Sequence, residues 1–351
     1  MRLLLAGHKG RFSQLREFGN ALEKLGVENK LVQDIDVYDG FPSRNLRNWF
    51  QTSSKFRKLI KEFEPDAVFV DRQRHFGLAA IKEKLPLFMF LRGDYWSEIE
   101  WARKTLYRLP HKRLALWRWD QIAKKSFEGS KIILPVSSYL RGIVKTHYPH
   151  KETEVLYHGI DPTLWHSETG MNLKHPCVGL LQNATILGKT MEMLTLTKVM
   201  DAIPDVMFYW AGDGPYRSLI LPILEKYKNF KWLGQLNYPD EVRKFLSEID
   251  VYALVSGYDM LPMTVMQAEM MEKPVVATNI GGTSEEMINN ETGFLIEKGD
   301  YHDWIEKITL LINDQNMAKK MGQTARIFAK ANFSWEIIAK KFVNILNFNL
   351  N

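Results

Sequence analysis

Short apolar runs rich in β-branched and aromatic residues alternate with helix-period segments along most of this chain. That rhythm restricts the fold more than any single motif does. Parallel strands need a crossover between them, so strand–helix–strand repetition predicts an α/β fold with helices covering both faces of each sheet. Residues 2–6, 67–70, 87–91 and 131–136 read as one set of strands, and a second set begins near Cys177 at 177–181, 206–211, 230–233, 251–255 and 274–278. Leu15, Phe18, Leu22 and Leu25 form an amphipathic face after the first strand, and Ser137-Ser138 offers a cap to the helix after Pro135. The stretch 161–176, with Pro, Gly and polar residues but no period, reads as a linker. From Trp335 to Asn349 the pattern is again helical, through Ile338, Phe342 and Ile345. The expected architecture is therefore two doubly wound, Rossmann-like domains, with ligands at the carboxyl ends of the strands.

With 351 residues there is room for two domains, and 45% hydrophobic with 25% charged residues is a globular composition. A single cysteine, Cys177, excludes an internal disulfide and a multi-cysteine metal site; in its apolar run it reads as a small core residue. No apolar run reaches the roughly 18 residues needed to span a membrane. The opening MRLLLAGHKG reads as a first strand rather than a signal peptide. The expected location is cytoplasmic, or peripheral on the cytoplasmic membrane face. A net charge of +6 leaves nucleic acid or an anionic membrane surface open as partners.

Residues 256–286 carry the sharpest chemical signal. Asp259 precedes a predicted helix, Pro262 suits its first turn, and Gln267 lies inside it. Such a helix aims unpaired N–H groups and the positive end of its dipole at a neighbouring anion. A second glycine turn, Gly281-Gly282, precedes Glu285-Glu286 and permits close backbone approach. These features describe a pocket for a nucleoside diphosphate.

The same stretch resembles the donor site of family 4 glycosyltransferases, the GT-B group of retaining, nucleotide-sugar-dependent enzymes. Their pattern of Glu, seven residues, Glu-Ala, then Lys-Pro-Val-Val-Ala-Thr and Gly-Gly-x-x-Glu stands here as Asp259…Gln267-Ala268, Lys273 to Thr278, and Gly281 to Glu285. The resemblance extends to Val155–Asp161, Ala211–Pro215, Trp232–Gly234, Thr292–Leu295 and Phe333–Trp335. It implies a domain at 1–165 on the acceptor side, a nucleotide-sugar domain at 174–332, and a segment at 333–351 whose helix packs back on the first. It also implies a central cleft between the two domains.

On the donor side, the resemblance implies that Lys189 supplies positive charge to the departing diphosphate. The family's companion Arg falls near apolar Leu180, so an Arg from elsewhere would have to complete the clamp. Asp259, in the slot of the first family Glu, would touch the transferred sugar. Gln267, in the slot of the second, would bind ribose hydroxyls as both donor and acceptor. Met263 and Thr264 would offer backbone N–H groups to phosphate; Thr264 also reads as a plain helix-start residue. Glu285 is the donor-side acid by position, with Glu286 as its exposed neighbour unless the register is shifted by one. Gly234, with Gln235, would lie against the base edge or serve only as a turn, while Gly212-Asp213-Gly214 reads as a tight turn.

On the acceptor side, Gly7-His8-Lys9-Gly10 follows the first strand, and Arg72 and Arg74 follow another with anion-binding potential. Arg92-Gly93-Asp94 stands where many family members carry His-Asp. Glycine in the His slot leaves Arg92 or Asp94 as catalytic candidates, or the leaving phosphate itself as the proton acceptor. Asp34-Ile35-Asp36 is an Asp-x-Asp triplet like those that hold metal in the other large glycosyltransferase fold. Here it reads as a solvated loop beside the second strand. No His/Asp/Glu/Cys cluster with metal-ligand spacing is visible, and neither metal nor cofactor is expected beyond a co-substrate of UDP or GDP type.

Residues 96–125 interleave Trp96, Trp101, Tyr107, Trp117 and Trp119 with eight basic residues, and Pro110 divides two predicted helices. Such helices can lie in an anionic membrane interface, or can pack their tryptophans inward. Nucleic acid is not an expected partner. The leading reading is a retaining glycosyltransferase acting on a glycan or lipid-linked acceptor by metal-independent, same-face attack. The alternatives are a non-catalytic GT-B subunit regulating a partner, and a nucleotide-sugar epimerase.

Overall fold

Eleven strands among the described residues, with the helices between them, divide in the computed structural model into two α/β units: Met1–Gly159 with the C-terminal segment from Trp335, and Ile160–Ser334. The structure describes residues 1–43, 46–105 and 107–350; Leu106, within the 96–125 stretch, and Asn351 lie outside it.

In the first unit β1 (Arg2–Gly7), β2 (Glu28–Gln33), β3 (Ala67–Asp71), β4 (Leu87–Leu91) and β5 (Ile132–Pro135) form a parallel sheet of order β2-β1-β3-β4-β5. Leu5 lies opposite Leu31 on one side and Phe69 on the other, which fixes the central register. Strands covered on both faces read as continuous apolar runs, and β1, β3, β4 and β5 are buried along their lengths. Edge strand β2, with the sequence ENKLVQ, is half-exposed and carries no such run. The helix Phe12–Glu23 buries Leu15, Phe18 and Leu22. Against it packs the last helix, Trp335–Leu350. Its Phe342 ring centres 5.3 Å from Phe18, 5.2 Å from Phe69 and 5.8 Å from Phe88, and Trp335 Nε1 donates to Glu17 at 2.7 Å. The chain's end therefore completes the core of its beginning.

In the second unit β6 (Cys177–Leu181), β7 (Met207–Ala211), β8 (Phe230–Gly234), β9 (Val251–Leu254), β10 (Val275–Thr278) and β11 (Gly293–Ile296) pair in parallel in the order β11-β10-β9-β6-β7-β8. Phe208, Trp210 and Trp304 fill the core with aliphatic neighbours. The stretch 161–176, read as a linker, packs on this unit instead. Trp165 is 1% exposed, Arg243 Nε donates to Glu168 at 2.8 Å and its Nη1 to the Leu164 carbonyl, and Lys174 N–H donates to the Tyr209 hydroxyl. Polar residues without a period gave no sign of these long-range partners.

Each sheet reverses its strand order once, between β1 and β3 in the first unit and between β6 and β9 in the second. Loops leaving neighbouring strands in opposite directions open a crevice at their carboxyl ends, where doubly wound sheets take ligands.

Candidate active site

Lys189 lies in the short helix Leu187–Glu192 after β6, and Asp259 on the loop after β9, so that both flank the second unit's crevice. Lys189 Nζ donates to both Asp259 oxygens, at 2.9 and 2.8 Å, with both side chains largely buried. Pro262 caps the helix Met263–Met270, so the amide groups of Met263 and Thr264 belong to its first turn, just after the Asp259 loop. Thr264 Oγ1 accepts from the Tyr252 hydroxyl at 2.6 Å, which ties that turn to β9. Gly282 N–H donates to the Asp259 carbonyl, and Ser256 N–H to Thr278 Oγ1. The loops after β9 and β10 thus form one hydrogen-bonded frame. Gln267 is buried on the helix interior at 5% exposure.

The two acids after Gly281-Gly282 exchange the surroundings expected of them. Glu285 is half-buried, whereas Glu286, read as the exposed neighbour, is fully buried. Burial, with the nearby carboxyl groups of Glu269 and Asp259, pushes Glu286 well above the usual carboxylate range; Lys189 offsets this only partly. Glu269 is likewise fully buried, and desolvation alone raises it well above that range. Burial thus favours the uncharged form of both acids near Lys189, which favours anions in the crevice. The sequence marked Glu286 only through its place beside Glu285, and Glu269 not at all.

Gly212 and Gly214 explain the Gly-Asp-Gly turn structurally. Their φ values are +148° and +154°, and a Cβ would meet the Gln182 carbonyl oxygen at 2.0 Å and that of Ala184 at 2.3 Å. Asp213 pairs with Arg217 at 2.8 Å, and that guanidinium lies 4.5 Å over the Trp232 ring. Gly234, at φ +77°, has open space beside it at the end of β8. Sequence reasoning also passed over Lys298, just beyond β11, whose Nζ would lie 3.3 Å from a Cβ added at Gly257.

In the first unit a cavity of about 790 Å³ opens beside the carboxyl ends of β1 and β3. Asp39, Arg72, Arg74 and Glu98 give it a charged side, His8 lies at its polar rim, and Ile35, Ile99, Leu116 and Trp119 make an apolar side. His8 Nδ1 accepts from Gly10 N–H at 3.2 Å, shaping the turn that carries Lys9, while buried Gly7 has no room for a Cβ against Leu15. Asp34 is not in a solvated loop: it is 1% exposed, with Arg74 Nε 3.6 Å from its Oδ2, and burial pushes its carboxyl above the usual range while Arg74 opposes. Asp36 alone of the pair is exposed.

Arg92 and Asp94 occupy buried structural positions. Arg92 Nε donates to Asp71 at 2.9 Å and Nη1 to Gln14 at 3.0 Å, with His158 Nδ1 2.8 Å from the same nitrogen. Burial and the Arg92 charge hold His158 well below its usual range, so it is neutral and accepts there. Asp94 caps the helix Tyr95–Lys104, accepting from the amides of Trp96 and Ser97. Glu98, one turn on, lines the cavity together with Asp39. A Cβ at Gly93 would come 2.3 Å from its Oε1, so glycine leaves room for that carboxyl. Burial pushes Glu98 upward, with Arg72, 3.8 Å away, opposing. A carboxyl one turn into a helix has no motif to mark it.

Pro110 opens the helix Pro110–Gly129, which packs beside Tyr95–Lys104. The aromatics divide between inside and outside. Trp96 stacks on Phe127 and on His147, at 5.3 and 4.1 Å, and Trp119 meets His75 edge-on, while Leu109, Leu114 and Trp117 are more than half exposed.

Residues 13–164 match the family model for glycosyltransferase family 4, and residues 188–328 the model for glycosyl transferases group 1. An uncharacterised glycosyltransferase of Methanocaldococcus jannaschii is 29% identical over 217 residues, 61% of this chain and 58% of that one. The N-acetyl-alpha-D-glucosaminyl L-malate synthase of Bacillus anthracis is 24% identical over 238 residues, 64% of this chain and 62% of that one. These matches span less than two thirds of either relative's length. Among solved structures, sucrose-phosphate synthase from Thermosynechococcus elongatus superposes with a TM-score of 0.75 at 14% identity, covering 99% of this chain and 98% of its own. Anabaena HepE in complex with UDP gives 0.70 at 15% identity, covering 99% and 100%. Two Rossmann-like units of the GT-B fold, matched over most of their length by these two family models, make the chain a member of the group 1/family 4 glycosyltransferases.

Proposed function

We propose that the protein transfers a sugar from a UDP- or GDP-type donor, with retention and without a metal, to an acceptor held in the first unit's cavity. The observation that carries this reading is the Lys189–Asp259 pair at the second unit's switch point, beside the start of the helix Met263–Met270. A diphosphate competes with Asp259 for Lys189 and gains the helix's first-turn N–H groups. Asp259, released, accepts hydrogen bonds from hydroxyls of the transferred sugar, and Gln267 and Glu285 complete the donor contacts. As the bond between sugar carbon and phosphate oxygen breaks, Lys189 neutralises the charge that gathers on the leaving group. The acceptor oxygen bonds to the same face of that carbon, and its proton passes to the departing phosphate. Glu98 in its ionised form, made more basic by burial against the pull of Arg72, is the alternative receiver of that same proton for an acceptor in its cavity.

The cavity's mixed lining suits an acceptor with an anionic or hydroxylated head and an apolar body. Exposed Leu114 and Trp117, with Lys112 and Arg113 on the same helix, support docking of that acceptor from an anionic membrane surface. The test is incubation with UDP- and GDP-sugars, with and without EDTA, in the presence of short-chain lipid-linked acceptors. Nuclear magnetic resonance then reads the anomeric configuration of the product. Retained configuration and EDTA-insensitive rates are expected; inversion or loss of activity in EDTA would contradict the mechanism.

A further inference from the structure

We propose that His175, Cys177 and Asp250 form a site for one Zn²⁺ ion at the amino-terminal end of the second unit's sheet. Cys177 opens β6, His175 lies two residues before it, and Asp250 immediately precedes β9, the strand paired with β6 through Val178 and Val251. One ligand atom from each residue lies within 4.8 Å of the other two. His175 Nδ1 is 3.7 Å from Cys177 Sγ and 2.8 Å from Asp250 Oδ2. Tetrahedral zinc, with bonds of about 2.0–2.3 Å, places neighbouring ligand atoms roughly 3.3–3.6 Å apart. The sulfur–nitrogen pair already has nearly that spacing. The imidazole–carboxylate pair must open by about 0.5 Å to reach it, and His175 is an exposed side chain free of core packing.

The surroundings match a metal site beyond its ligands. Glu248 Oε1 lies 3.1 Å from His175 Nε2, where it fixes the proton on that nitrogen and leaves Nδ1 to the metal. Cys177 N–H donates to Asp250 Oδ2 at 2.7 Å and orients the carboxylate. Lys273, close to Cys177 and Asp250, donates to the Ser247 and Ile249 carbonyls, so its charge is directed at backbone. One sulfur, one imidazole and one carboxylate suit zinc rather than magnesium or calcium, and water completes the fourth position. Burial holds the free thiol up at about 12, so metal entry breaks the S–H bond and releases its proton to solvent. Cysteine and aspartate stand 73 residues apart, which is why ligand spacing in the sequence shows nothing. Bound zinc would fasten the entry of β6 to that of β9. It lies at the opposite strand ends from Lys189 and Asp259, so it acts on stability and leaves the chemistry alone.

The test is titration of the chelator-stripped full chain with Co²⁺, followed by displacement with Zn²⁺. Wild type is expected to show a near-ultraviolet thiolate-to-cobalt charge-transfer band and tetrahedral visible bands saturating at one equivalent, all abolished by Zn²⁺. His175→Ala, at an exposed position, should fold and lose the bands; Cys177→Ala should lose the charge-transfer band. Zn²⁺ at about a hundred times its Kd should raise the wild-type Tm by roughly 5 °C or more and leave His175→Ala unmoved. Absence of the charge-transfer band in wild type, or equal Zn²⁺ shifts in wild type and His175→Ala, would overturn the site.

Discussion

Lys189 and Asp259 hold each other where a diphosphate and a sugar would part them, so each should matter for a different step. Lys189→Ala is expected to weaken nucleoside-diphosphate binding about 10- to 100-fold. Asp259→Asn should lower kcat and, by removing the carboxylate that competes for Lys189, tighten UDP or GDP binding. Titration calorimetry and initial rates separate the two effects. Glu98→Gln is expected to reduce kcat by about 100-fold with an unchanged Tm, if the carboxyl takes the acceptor's proton; an unchanged kcat would return that role to the leaving phosphate. Arg92→Met would instead destabilise the first unit by about 3–5 kcal/mol, because it strands Asp71 in the interior. Urea unfolding monitored by fluorescence would measure that loss. Asp259 stands in a continuous motif that the sequence displays, whereas Lys189, 70 residues away, is marked only by its position after the first strand of its unit. Arg92 and Asp94 stood at a motif position too, yet the partners that claim them, Asp71 and His158 for one and two backbone amides for the other, lie where no local pattern shows them.

Between elements, the buried acids Glu269 and Glu286 set a pH dependence. Both are raised in the folded protein, so the native state binds more protons than the unfolded chain above the unfolded carboxylate range. Stability therefore falls as pH rises from that range toward the folded values. Glu286→Gln removes the titration but keeps the shape. Its Tm should exceed that of wild type by a margin that grows between pH 5.5 and pH 8.5, and parallel profiles would show that Glu286 does not carry the effect. The strand pattern explains what could be read in advance. Central strands covered on both faces are unbroken apolar runs and were found nearly to the residue. Edge strand β2 mixes polar and apolar residues on both sides, and β11 is four residues opened by a glycine. Neither supplies the periodicity or the run that distinguishes a strand from a loop.

Across the whole molecule, the last helix belongs to the unit that begins the chain, since Phe342 fills a site among Phe18, Phe69 and Phe88. A chain ending at Ser334 should leave those rings exposed and aggregate, with loss of the first unit's cooperative transition in calorimetry. The membrane-facing reading is tested by sedimentation with vesicles containing anionic lipid. Leu114→Ser with Trp117→Ser should reduce binding, and high salt should reduce it further if the neighbouring basic residues contribute. The central claim concerns the donor crevice of the second unit. The most direct measurement is calorimetric titration of UDP and of GDP into the full chain, without metal, and into Lys189→Ala. The account predicts one-to-one binding of one of the two nucleotides, weakened at least about tenfold by the substitution. Binding of neither, or equal binding to both proteins, would contradict it.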